Sequence, residues 1–138
     1  PETIHNVYEC RIGLESYAAR LATRHFTKQD HIILIDSVEQ CKKADNDNDM
    51  VQLIDLNTFF HDHIAALTQN DFIIMQIERI QNIVKLSRLK ELQQGTRDLS
   101  YAYKDHIDIA DSLLAGDEDA VETLMRKHLS NNMHSLLI

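Results

Sequence analysis

Leu56-Asn57-Thr58-Phe59-Phe60-His61, continuing through Thr68-Gln69-Asn70, decides how this chain is read. Asn57 and His61 are four residues apart, so on a helix they stand one above the other on one face. Leu53, Ile54, Phe60, Ile64 and Leu67 surround them at helical spacing. The face that carries the two polar groups is therefore the face to be buried. A buried imidazole beside a buried amide needs partners. His106 and His128, further along, occupy the same kind of apolar setting. The expectation is an all-α, antiparallel bundle of about six helices, built around a polar site that these residues share.

The rest of the composition agrees. A chain of 138 residues, 43% hydrophobic, forms one domain (residues 1–138) with a core of its own. One Pro and three Gly are too few breakers for a turn-rich β fold. No apolar run approaches the roughly 20 residues that span a bilayer, so no membrane partner is expected. No secretory signal is visible, and two cysteines, Cys10 and Cys41, make no disulfide framework. They read as packed thiols of a cytoplasmic protein. A net charge of −8 repels phosphate backbones, so this segment is a poor nucleic-acid binder by itself. Pro1, not Met, opens the chain, as in a fragment or a processed product.

Outward from the central stretch, the periodicity predicts a first helix over about Thr3–Arg24, with Val7, Cys10, Leu14, Tyr17, Ala18 and Leu21 on its apolar stripe. Arg11 lies within that stripe. Its plain reading is an ion pair with Glu15, one turn on; its functional reading is an anion clamp facing an internal pocket. Thr27-Lys28-Gln29-Asp30 has the form of a capping box and opens a second helix to about Lys43, with Ile32, Ile33, Ile35, Val38 and Cys41 inside. Residues 44–49, rich in Asp and Asn, lack the central Gly and closing Glu of a calcium loop and read as a connector. The third helix covers about Met50–Leu67.

Asn70 caps a fourth helix over about Asp71–Leu92, apolar on more than one side, which implies a central helix or one that meets another subunit. Arg88, at the edge of its stripe, is a weak second anion candidate; a solvated arginine near the helix end is the plainer reading. A fifth helix is expected over about Arg97–Leu114, with Leu99, Tyr103, His106, Ile109, Ala110 and Leu113 on one stripe. A sixth, capped by Asp117, puts Val121, Leu124, Met125 and His128 on one face.

A lone histidine on an apolar face is more often a satisfied core residue than a ligand. Three on separate helices, with an amide one turn before the first, change that balance, because bundles build metal sites from facing helices. Neutral imidazoles suit Zn, Ni, Cu or Fe, and three of them leave open positions for water or a carboxylate. Asn57 can add a neutral amide oxygen. His5, His25, His31, His63 and His134 read as surface or packing residues.

These motifs resemble the FCD domain, the effector-binding C-terminal domain of FadR-type GntR transcriptional regulators. Glu9-x-Arg11-x-x-x-Glu15 followed by Ala18, Ala19 and Ala22 is similar to the family's opening helix. Leu56-Asn57-x-x-Phe60-His61 with Asn70 is similar to its third. Asp105-His106 with Ala110, Gly116-Asp117, Ala120 and His128-Leu129 resembles its closing pair. The resemblance implies a buried divalent metal, Zn or Ni first, with Asn57, His61, His106 and His128 as ligands. Asn57 departs from the Asp that members often carry. The resemblance further implies a small carboxylate effector with Arg11 as a basic contact, a homodimer, and DNA binding only through an N-terminal winged helix-turn-helix domain outside this chain; Ile83 and Val84 fall where the family often carries a second basic residue on the fourth helix, and Arg88 is the substitute candidate. It implies no enzyme. Two other readings stand beside it. One is a metal-dependent hydrolase, since His61-Asp62 is similar to the paired ligands of HD-type phosphohydrolases. The other is a ligand-free helical dimerisation module.

Overall fold

The computed structural model describes residues 2–95, 99–134 and 138. Among these, six α-helices follow one another: α1 (Glu2–Ala22), α2 (Lys28–Asn46), α3 (Met50–Ala66), α4 (Asp71–Gln94), α5 (Tyr103–Ala115) and α6 (Glu118–His134), with a single 3₁₀ turn at Thr23–His25. The boundaries have local causes. The Thr27–Asp30 capping box is complete, each side chain accepting from the other's backbone N–H. Asn70 accepts from the N–H groups of Phe72 and Ile73, and Asp117 from that of Ala120. Gly95 and Gly116 end α4 and α5 in the left-handed conformation, at φ 63° and 74°.

The bundle is antiparallel. α1 packs chiefly on α6 and also meets α3 and α4; α2 lies between α3 and α5. The main apolar core, with Leu34, Val38, Leu53, Phe60, Ile109 and Leu113 among its members, draws on α1, α2, α3, α5 and α6.

Several expectations need correction. α2 runs on through Asn46, so the expected connector begins three residues late; Asp49, at its end, caps α3 through Gln52. On α2 the inward residue is Leu34, not Ile32, which is 60% exposed. On α1 the inward face is Tyr8, Arg11, Glu15, Ala18 and Ala22, while Cys10 and Tyr17 face out. The apolar stripe lost to a polar face because Glu15 binds Arg11 on its own helix and His61 and Gln81 across the bundle, and Ala18, Ala19 and Ala22 let neighbouring helices approach. Of the two thiols only Cys41 is packed. α4 is not central: its buried stripe is Ile77, Gln81, Val84 and Arg88, and Phe72, Met75, Ile83 and Leu86 are exposed.

α5 starts at Tyr103, not near Arg97. Residues 96–98 lie outside the described part, and Leu99 to Ala102 are not helical. There the backbone is held from elsewhere: the N–H of Ile138 donates to the carbonyl of Ser100 at 2.8 Å.

Candidate metal centre

His61 on α3, His106 on α5 and His128 on α6 come together in the interior. Each is 1% exposed or less, and one ring nitrogen from each lies within 4.8 Å of the others. The His106 ring meets that of His128 edge-on at 4.5 Å between centroids, and the His61 and His128 rings lie nearly parallel at 5.7 Å.

Their outer nitrogens are all engaged by groups that only accept. Nδ1 of His61 donates to Glu15 Oε1 at 2.8 Å, Nδ1 of His128 to Asp105 Oδ2 at 2.9 Å, and Nδ1 of His106 to the Ala102 carbonyl at 2.8 Å. The proton in each neutral ring is thereby assigned to Nδ1, and the lone pair to Nε2. Burial first, and for His106 the neighbouring imidazoles next, depress the pKa of all three. That of His61 falls to about 4 despite Glu15. Neutral rings with Nδ1 tied back and Nε2 directed inward are the form in which imidazole binds a metal.

The inward atoms fit such an ion. Nε2 of His61 has no hydrogen-bond partner. Nε2 of His128 lies 3.5 Å from the Asn132 amide nitrogen. Nε2 of His106 faces Asn57 Oδ1 at 3.0 Å, so two acceptors confront each other. Turning the amide over would cure that contact but put Oδ1 where Nδ2 now sits with no partner. The groups that could hold an ion here are His61, His106 and His128, with Asn57 alongside.

Behind His61 stands a network that the spacing only half revealed. Glu15 accepts from Arg11 Nε at 2.6 Å, from Gln81 Nε2 at 3.0 Å and from His61. Burial would raise its pKa, but Arg11, then His61, bring it down to about 2. The ion pair expected of Arg11 is therefore present, yet it uses only Nε. Nη1 and Nη2 are buried without a hydrogen-bond partner, and Tyr8 lies 5.5 Å beneath the guanidinium. Arg88 is not a solvated end-of-helix residue: it is 3% exposed and donates to the Tyr8 hydroxyl at 3.1 Å. Glu15 was legible as the partner of Arg11 at four-residue spacing. Its bonds to His61 and Gln81, and that of Tyr8 to Arg88, join distant elements that no local pattern links.

Asp62 is not one of the clustered donors. Burial and then the nearby Glu15 raise its carboxyl to about 6. His5, His25, His31, His63 and His134 lie outside the cluster; His31 and His63 contact Asp111 and Asp30.

A family model described as the FCD domain matches residues 6–131. The chain is 24% identical over 135 residues to the Nta operon transcriptional regulator of Aminobacter aminovorans, an alignment that covers 98% of this chain and 62% of that protein, so the chain spans less than two thirds of its relative's length. It superposes on E. coli McbR/YncC with a TM-score of 0.85 at 20% identity, over 97% of this chain and 67% of that one, which establishes a common fold. The chain belongs to the FCD-domain family, the all-helical regulatory domain of FadR-type GntR transcriptional regulators.

Proposed function

We propose that this regulatory domain senses a small carboxylate effector at a divalent metal, Zn or Ni first, held by His61, His106 and His128 with the oxygen of Asn57 beside them. The observation that carries the reading is the shared orientation of the three rings: Nδ1 tied to Glu15, Ala102 or Asp105, Nε2 turned to a common centre. The metal would supply an open, positively charged position for a carboxylate oxygen. Arg11 adds a buried guanidinium with two unpartnered nitrogens, suited to a second oxygen of the same ligand. Arg88 reaches this region through Tyr8 and is the weaker contact.

In this reading residues 1–138 work as one effector-binding and dimerising unit. A second copy seats on the outer face of α4 and α1, where Phe72, Met75, Ile83 and Leu86 are exposed beside a groove of about 610 Å³ that includes Val7, Leu14 and Ile80. Effector binding shifts the balance between two arrangements of the dimer, and so the spacing of DNA-binding domains outside this chain, by its different affinity for each. The protein acts in the cytoplasm, beside DNA. Among the described residues no helix is long and apolar enough to cross a membrane.

Metal analysis of the purified protein beside His106→Ala and His128→Ala tests the centre: both variants should lose the metal, and equal content in all three would refute the site. Melting of the metal-loaded protein with a panel of organic acids tests the effector, since binding to the folded state raises the midpoint.

A further inference from the structure

His61 and His128 are steadied by side-chain carboxylates, but His106 is steadied by backbone. The Ala102 carbonyl accepts both the ring N–H, at 2.8 Å, and the His106 backbone N–H, at 3.3 Å. Its position is thus what aims the ring. α5 has no side-chain cap at Ala102, and the preceding residues are not helical. Among the described residues, burial and a distant hydrogen bond hold them. Leu99 and Tyr101 are packed in the main core, and so is Ile138, which is fully buried. The Ile138 N–H donates to the Ser100 carbonyl at 2.8 Å. Between these anchors the Tyr101 ring stacks on His106 at 4.6 Å and 30°, and Phe60 meets the same imidazole edge-on at 4.7 Å.

We infer that Leu99–Ala102 and Ile138 form a clasp that positions His106 for the metal, with Ile138 and Tyr101 as positioning residues. The inference rests on the metal reading above. Ile138 pins Ser100; Ser100 leads directly into Tyr101 and Ala102; these two fix the tilt and the tautomer of His106. Groups that orient a ligand from behind typically change metal affinity by about 10–100-fold when lost. Linkage makes the effect reciprocal: if the clasp strengthens metal binding, bound metal must tighten the clasp by the same factor.

The test uses the whole chain and Ni²⁺ or Zn²⁺ alone, with affinity measured by chelator competition. Ile138→Ser should weaken binding at least tenfold, Ile138→Val should keep it near the parent value, and Val38→Ala, which trims the same core on α2, should leave it unchanged. With Co²⁺ as a spectroscopic substitute, the ligand-field bands should move in Ile138→Ser and not in Val38→Ala. Should Ile138→Ser fail to fold, hydrogen exchange in the parent protein decides: the Ile138 amide should exchange at least tenfold more slowly with Ni²⁺ bound. Unchanged affinity in a folded Ile138→Ser, equal weakening in Val38→Ala, or an Ile138 amide indifferent to metal would each overturn the clasp. Absence of metal binding by the parent protein would instead defeat the reading on which it rests.

Discussion

The two sides of the histidine cluster are held by different chemistry. On the α1–α3 side an ionised, fully buried carboxylate, Glu15, joins Arg11, Gln81 and His61. On the α5 side a neutral peptide carbonyl, that of Ala102, performs the same task for His106, backed by packed apolar groups and one backbone hydrogen bond. His128 lies between these cases, steadied by Asp105, whose side chain is 40% exposed. A charged anchor is strong but costly in a dry interior and responds to pH. A carbonyl anchor carries no charge but is only as firm as the chain around it.

The sharpest way to break the contrast is Glu15→Ala. It leaves the Arg11 charge and the His61 N–H buried without an acceptor, and losing one partner of a buried pair costs about 3–5 kcal/mol. Denaturant unfolding should show that loss. The double variant Arg11→Met/Glu15→Leu should recover most of the stability, because the isolated charge is gone too. Its metal affinity should stay low, because His61 still lacks its acceptor.

Acid separates the groups by window. The folded pKa of His61, about 4, lies below the unfolded value near 6.5, so the unfolded chain binds more protons between them. In the metal-free protein this contribution is complete above pH about 6.5 and lost as pH falls to about 4, amounting to roughly 3 kcal/mol. Asp62, raised to about 6, acts in the opposite sense and offsets part of that loss. Glu15, at about 2, adds a second loss as pH falls below its unfolded value near 4.5. Unfolding measured from pH 7 to pH 3 should show both, and Glu15→Gln should shrink the lower one, leaving the share of Asp30, Asp105 and Glu118, whose carboxyls are also depressed.

Asp105→Asn should weaken metal binding by about tenfold, the low end for groups that orient a ligand, because the carboxylate is partly solvated. Chelator competition would measure it. The smallest change should come from Tyr101→Phe, which keeps the ring on His106 and removes only the hydroxyl beside Cys41. A loss of stability below about 1.5 kcal/mol, with unchanged metal affinity, is expected from thermal and denaturant melts. A larger effect on affinity would mean that the hydroxyl, not the ring, controls the imidazole.

Most helices were legible because their signals are local. Thr27, Asn70 and Asp117 cap where a short polar side chain precedes an apolar period, and Gly95 and Gly116 close where no other residue is easy. The errors arose where distant partners intervene. Leu99 and Tyr103 fit one helical stripe on paper, yet Leu99 belongs to an irregular segment tied to Ile138. Cys10 and Tyr17 fit an apolar stripe on α1, yet the inward face is the one with Arg11 and Glu15. Arg88 read as solvated because it stands at the edge of its stripe near the helix end; in the fold it is buried and donates to Tyr8, eighty residues away.

Sequence alone determined that this is a helical bundle, where most of its helices begin and end, and that Asn57, His61, His106 and His128 sit on inward faces, because periodicity and capping act over one or two turns. Only the tertiary structure decided that the three rings share a centre, that each Nδ1 is tied back, and that Glu15 serves Arg11 and His61 together. Those bonds join residues 23 to 66 positions apart or depend on how an irregular segment is packed, and their geometry exists only once the helices have docked.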